Sequence, residues 1–316
     1  LRQSDFSGDG KLNGAPWLGM AVSDISTLDR LFIVGSFFRK DHPLMAQRVR
    51  QAIKKGLKLS VLNPAFDDWQ LSIENKICVA PSEMVAGLAR VIKALSDETN
   101  QTISSDLSDL CAQISVDDES LAVARSLASG RRSAIWLGNY AVQHKNAAQI
   151  HALSQEIARL ANSAFGVIGE AANSVGGYLA GAVPYGLIEG KNAAQMLSTP
   201  LKAYILAGVE PDLDIADGVS AVKSLRQAEM VAALTVFKSQ SLLDLADVLL
   251  PIAPFTETAG VFVNCEGRAQ AFHPVTKSAG ESRAGWKVLR VIGSALELDG
   301  FDFGTIEDVR NKVLGD

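Results

Sequence analysis

Short apolar runs alternate with amphipathic stretches along most of this chain, and the alternation predicts strands and helices in turn. LFIVGS, residues 31–36, reads as a buried strand. A helix follows from near Asp41, with Pro43 in its first turn, Leu44, Val49 and Ile53 on one side and Gly56 as its stop. LKLSVLNP supplies a second strand, ended by Asn63 and Pro64, and NKICVA a third. Ser82 is then the expected cap of a helix that places Met84, Val85, Leu88, Val91, Ile92 and Leu95 at helical spacing.

The acidic, Ser-rich stretch 97–120, with a short surface helix near residues 107–114, is the expected domain boundary. After Gly130 the pattern restarts with the strand SAIWLG, a helix through Ile150, Leu153, Ile157 and Leu160, and the strand SAFGVIG. Strands follow at LKAYILAGVEP, MVAALTVF and DVLLP, the last preceded by the helix SLLDLA. A hairpin centred on Gly267 and a helix through Trp286, Val288, Leu289, Val291 and Ile292 come next, and Thr305 with Asp308 forms a capping box for a last helix. This order predicts an α/β fold of two Rossmann-like lobes, parallel sheets with helices on both faces, over residues 1–120 and 121–316. No repeat of solenoid length is present.

Composition narrows the function classes. The 316 residues are 47% hydrophobic and 21% charged, as in ordinary globular proteins, and the net charge of -5 without a Lys/Arg cluster argues against a nucleic-acid partner. Cys78, Cys111 and Cys265 lie far apart, so no local motif builds a zinc or iron–sulfur site, and reduced cysteines in a cytosolic protein are expected. The longest uncharged stretch, 171–188, is broken by Asn, Ser, Gly and Pro, so no membrane span is expected. The polar, Gly-rich start at Leu1, without Met, reads as the cut end of a longer polypeptide.

Ligands of open parallel sheets bind beyond the carboxyl ends of the strands, which directs attention to four loops. They contain Gly35, Ser36 and Arg39; Gly138 and Asn139; Gly208, Glu210 and Pro211; and Thr258 through Asn264, Glu266 and Arg268. No GxGxxG or Walker motif marks them, and each glycine is also an ordinary way to end a strand. His42, His144, His151 and His273 have no partner pattern and read as surface or capping residues, while Asp67-Asp68 and Asp117-Asp118 read as solvated turns or helix starts. Glu266 and Arg268 admit two readings. One is a hairpin with an exposed ion pair; the other is a guanidinium for phosphate beside a carboxylate for the N–H groups of a pterin or guanine.

The stretch LPIAPFTETAGVFVNCEGRAQ resembles the ADVVLP…E…GT(F/Y)xNxEGRxQ pattern of the molybdopterin oxidoreductase superfamily, matched here by residues 246–251 and 264–270. LFIVGSFFRKDHPLMAQRVRQAIKKGLKLSVLNP is similar to the strand–helix–strand of the large iron–sulfur subunit of respiratory complex I, the bacterial NADH-quinone oxidoreductase. AIWLGNYAVQHKNAAQIHAL, EAANSVGGYLAGAVP, LKAYILAGVEPD, AGWKVLRVIGSAL and TIEDVRNKV resemble successive blocks of that large subunit, in order.

The resemblance implies formate dehydrogenase/DMSO reductase-like domains and a structural role in electron transfer from NADH to quinone. It also implies a relic pterin cleft and no cofactor or catalytic residue in this segment. Iron–sulfur clusters are then expected in an N-terminal part of the parent, with that part and the peripheral-arm subunits as partners on the cytoplasmic side of the membrane. Gly35-Ser36-Phe37-Phe38 departs from the Asn-Pro that the superfamily prefers after Gly-(Ser/Thr), and two phenylalanines fill room that a polar cofactor needs. The alternatives are the pterin-binding part of an active molybdenum or tungsten oxidoreductase such as a formate dehydrogenase, with all four loops around the cofactor, and a free-standing nucleotide-binding protein.

Overall fold

The computed structural model describes residues 4–8, 10, 11, 14–66, 69–184 and 190–315. Asp67 and Asp68 lie outside them. The chain forms two units, one of Lys11–Val175 with Asn264–Arg268, the other of Leu1–Gly10, Gly176–Val263 and Ala269–Asp316.

The first unit is built on a five-stranded parallel sheet of β1 (Arg30–Val34), β2 (Lys58–Asn63), β3 (Asn75–Cys78), β4 (Ser133–Leu137) and β5 (Ala164–Val167), in the order β3-β2-β1-β4-β5. Its helices are α1 (Phe38–Asp41), α2 (Pro43–Ile53), α3 (Met84–Thr99), α4 (Ser105–Ala112), α5 (Asp118–Ala128), α6 (Asn139–Val142) and α7 (Ala147–Leu160). Side chains alternate across a strand, so a strand buried on both faces is apolar throughout. Phe32, Val34, Leu62, Ile135 and Leu137 therefore join the core under α3, α5 and α7. Leu31, Ile33, Leu59, Val61 and Trp136 join a second core with Ala46, Val49 and Ala52 of α2. Each fully buried side chain of this size stabilises the fold by about 1.5–3 kcal/mol.

Several expectations need correction. The boundary does not fall at residue 120, because β4 pairs with β1 and extends the same sheet. The stretch 97–120 packs on the first core through Ile103, Leu107, Cys111 and Ile114 instead of linking two lobes. Ser82 caps nothing: a 3₁₀ turn, Pro81–Glu83, leads into α3, and no side chain caps its start. Leu44 is 82% exposed, since the buried stripe of α2 runs through Ala46, Val49 and Ala52. His144 is buried, accepting from Asn146 N–H at Nδ1 and donating from Nε2 to Pro81 O. Asp117 does cap α5, accepting from Ser120 N–H.

Helix α8 (Ser174–Leu179) runs across the boundary at Val175, and the second unit holds α9 (Ala193–Ser198), α10 (Pro211–Asp214), α11 (Gly218–Leu225), α12 (Gln240–Leu245), α13 (Gly285–Ala295) and α14 (Ile306–Leu314). A three-stranded parallel sheet, β6 (Ala203–Ala207), β7 (Met230–Thr235) and β8 (Val248–Pro251), runs in sequence order. The hairpin of β9 (Gly260–Val263) and β10 (Ala269–Phe272) is antiparallel as expected, and the Thr305/Asp308 capping box opens α14. No helix among the described residues is long and apolar enough to cross a membrane.

Glu156 of α7 shows how the stretch 97–120 is held. Its carboxylate, with 5% side-chain exposure, accepts from Arg159 and from both Ser104 N–H and Oγ–H. Arg159 foremost, helped by Ser104 and opposed by burial, lowers its pKa from 4.5 to about 2. A lowered folded-state value means that the ionised form stabilises the fold above pH 4.5, and that the contribution fades between pH 4.5 and 2. Chemical denaturation across this window should show wild-type stability falling with acid, whereas Glu156→Gln should start lower and have a flatter profile.

Candidate functional site

In the first unit the chain passes from β1 outward to β2 and β3, then returns to place β4 on the other side of β1. The reversal makes the carboxyl ends of β1 and β4 the point where an open sheet binds ligands. Gly35, Ser36, Gly138 and Asn139 all stand there, so the structure joins two of the four loops. The sheet of the second unit has no reversal, and Gly208, Glu210 and Pro211 follow its edge strand β6. Thr258 follows a 3₁₀ turn, Phe255–Glu257, ahead of β9.

The two joined loops press directly on one another. Gly35 lies at φ +60°, where its Cβ would meet Ala141 N at 2.6 Å, and a Cβ on Gly138 would meet the Ser36 side chain at 2.2 Å. Glycine is required at both positions by this approach. The first three main-chain donors after β1 are used internally. Gly35 N–H bonds Leu62 O at 2.9 Å, Ser36 N–H bonds Asn63 Oδ1 at 2.8 Å, and Phe37 N–H bonds Asp41 Oδ2 at 3.2 Å. Asn63, fully buried, also donates to Ser36 O at 2.9 Å. Phe37 meets Tyr140 edge-on across the two loops, with centroids 6.1 Å apart. Phe38 turns away into the core against Trp69 and Trp136. Ser36 Oγ and Asn139 Oδ1 are buried polar atoms without a hydrogen-bond partner. Burial lowers the pKa of nearby His42, with Asp41 and Asn139 opposing the shift.

Asn63 and Asp41 were not candidates in the sequence, although a signal existed. Gly35 and Asp41 are six positions apart, as are Gly208 and Asp214. In the second unit Gly208 again has φ +63°, its N–H bonds Leu234 O at 2.8 Å, and Glu210 N–H bonds Asp214 Oδ2 at 2.8 Å. The same strand–Gly–Asp turn therefore closes both β1 and β6. In each, a carboxylate holds the N–H two residues beyond the glycine.

The turn Asn264–Arg268 belongs to the first unit. Glu266, with 11% side-chain exposure, accepts from Val22 N–H at 2.7 Å, from Asn264 Nδ2 at 3.3 Å and from Arg268 Nε at 3.0 Å. Leu18 N–H also donates to Cys265 O at 2.7 Å, and Trp17 O accepts from Val167 N–H of β5. The bond from Val22, above all, holds the Glu266 carboxyl below its usual range. Neither of the two roles expected for Glu266 and Arg268 fits fully: the pair is not simply exposed, and the carboxylate is occupied by the chain itself. Arg39 has polar contacts of its own within the fold. Among the described residues no group of three His, Cys, Asp or Glu side chains is placed to hold a metal, and the three cysteines are free.

Substitution should separate the two halves of the ion pair. Glu266→Ala strands Val22 N–H and should lower unfolding free energy by about 1–3 kcal/mol, whereas Arg268→Ala, 67% exposed, should cost less than about 1 kcal/mol. Asn63→Ala leaves both main-chain groups of Ser36 unpaired and should cost about 2–4 kcal/mol. Denaturant unfolding of the three variants checks the ranking.

Comparison with known proteins agrees with this architecture. The chain is 22% identical over 360 aligned positions to the F420-dependent formate dehydrogenase 1 subunit alpha of Methanococcus maripaludis, covering 97% of this chain and 53% of that protein. It thus spans about half the length of that relative. A subunit of the NADH-quinone oxidoreductase of Mycobacterium bovis is 32% identical over 115 residues, covering 36% of this chain and 14% of that one. Among solved structures, acetylene hydratase from Pelobacter acetylenicus superposes with a TM-score of 0.63 at 16% identity, over 87% of this chain and 48% of that one. The molybdopterin oxidoreductase pattern matches residues 3–295, and the chain belongs to the molybdopterin oxidoreductase family.

Proposed function

We propose that these residues form a structural segment of the large subunit of a multi-subunit oxidoreductase, in which the loop after β1 is closed to cofactor. The closed switch point supports this reading. Gly35, Ser36 and Phe37 N–H are all taken by the chain itself, Gly35 and Gly138 leave no room between their loops, and the Phe37–Tyr140 pair spans them. A dinucleotide phosphate bound at this loop would compete for those donors. The observed contacts do not fit it there, so no chemical step is assigned to this loop.

Two parent activities are supported by different similarities. Formate oxidation is favoured by breadth, because the formate dehydrogenase alpha subunit aligns along nearly the whole chain. Electron transfer from NADH to quinone is favoured by local identity, which is higher against the NADH-quinone oxidoreductase subunit. In the second case the partners are the peripheral-arm subunits and the parent's own N-terminal domains, where iron–sulfur clusters reside, on the cytoplasmic side of the membrane. A cofactor-bound version of the first case is supported by the alignment with the formate dehydrogenase subunit along nearly the whole chain and by the unspent hydrogen-bonding capacity of Ser36 Oγ.

The experiment is molybdenum, tungsten, iron and pterin analysis of the full-length parent from its native host, paired with formate-dependent and NADH-dependent reduction assays. Iron without molybdenum, tungsten or pterin, together with NADH-dependent activity, is the result expected for a closed loop in a respiratory subunit. Near-stoichiometric molybdenum or tungsten with pterin and formate-dependent activity would overturn the closed-loop reading.

A further inference from the structure

A parallel sheet is ordinarily covered on both faces, because its crossover connections carry helices over it. The sheet of the second unit is covered on one face and only in part on the other. Tyr204, Leu206 and Val231 point into a small core with Leu225 of α11 and Met196 of α9. The register puts Ala203, Ile205 and Ala207 of β6 beside Met230, Ala232 and Leu234 of β7, with Val248 and Leu250 of β8 next to Ala232 and Leu234. On this opposite face Leu234, near the end of β7, is buried, while Ile205 is 54% exposed, Met230 47% and Val248 39%. By contrast, every residue of β4 in the first unit is buried.

We propose that this face is the docking site for one amphipathic helix of the same polypeptide, contributed by a segment outside these 316 residues. Dimensions fit a single helix. Three strands spaced about 4.8 Å apart form a strip roughly 10–15 Å wide, the width of one helix with its side chains. Ala203, Ala207 and Ala232 flank Ile205 and leave a shallow apolar trough, with no charged residue among the strand positions of this face. Chain length supports this source for the helix. The relative that aligns along nearly the whole chain is about twice as long, 53% of it being matched here, so a parent of that size has ample chain to supply the cover. A second copy of the chain is the weaker occupant, because each trough is one helix wide and β6 and β8 present strands, not helices, at its rims.

The test compares oxidation of Met230 in the full-length parent polypeptide and in the 316-residue chain, with buried Met84 as the internal reference. Met230 should oxidise at least about tenfold more slowly in the parent, independent of protein concentration, once its thioether is covered. A photo-cross-linking residue at position 205 of the parent should capture a peptide from outside residues 1–316. Equal Met230 rates in the two proteins, cross-links to a second copy or to a separate subunit, or a native polypeptide that holds only these 316 residues would each overturn the proposal.

Discussion

The buried amide of Asn63 accepts from Ser36 N–H and donates to Ser36 O, and this pair of bonds fixes how the chain leaves the central strand. Much of the first unit follows from that exit. Gly35 must take φ +60° for Ser36 to reach the amide, and its carbonyl then receives Ala141 N–H, which draws the loop after β4 against it. Phe38 is delivered to the core between Trp69 and Trp136, and Phe37 is left against Tyr140. An unmade hydrogen bond in such a place costs about 1–3 kcal/mol per group, so the arrangement has little freedom to open.

The same economy recurs at the other candidate positions. Asp41, Asp214 and Glu266 each place a carboxylate on a main-chain N–H, of Phe37, Glu210 and Val22. Exposed loop amides of this kind attract phosphates in related architectures. Here the negative charge is supplied from within the chain, so residue types that suggest cofactor binding act to hold the backbone.

The sequence made the layered pattern legible because strands buried on both faces read as continuous apolar runs: LFIVG and SAIWLG correspond to β1 and β4. Pairing between them was not legible, since nothing local in the 97–120 stretch reveals that Glu156 binds Ser104 or that β4 returns to β1. The site was half legible. Glycines at strand ends marked two loops that the structure brings together, after β1 and β4, but the contacts of Asn63 with Ser36 and of Glu266 with Val22 join residues 27 and 244 positions apart. Periodicity carries no information at that range.

The most direct test of the closed loop is an experimental structure of the full-length protein as purified. A closed loop requires Ser36 N–H on the Asn63 amide, Phe37 N–H on Asp41 and the Phe37 ring against Tyr140, and these contacts are the expected result. A dinucleotide phosphate seated on those N–H groups, with Phe37 swung away from Tyr140, would be incompatible with it.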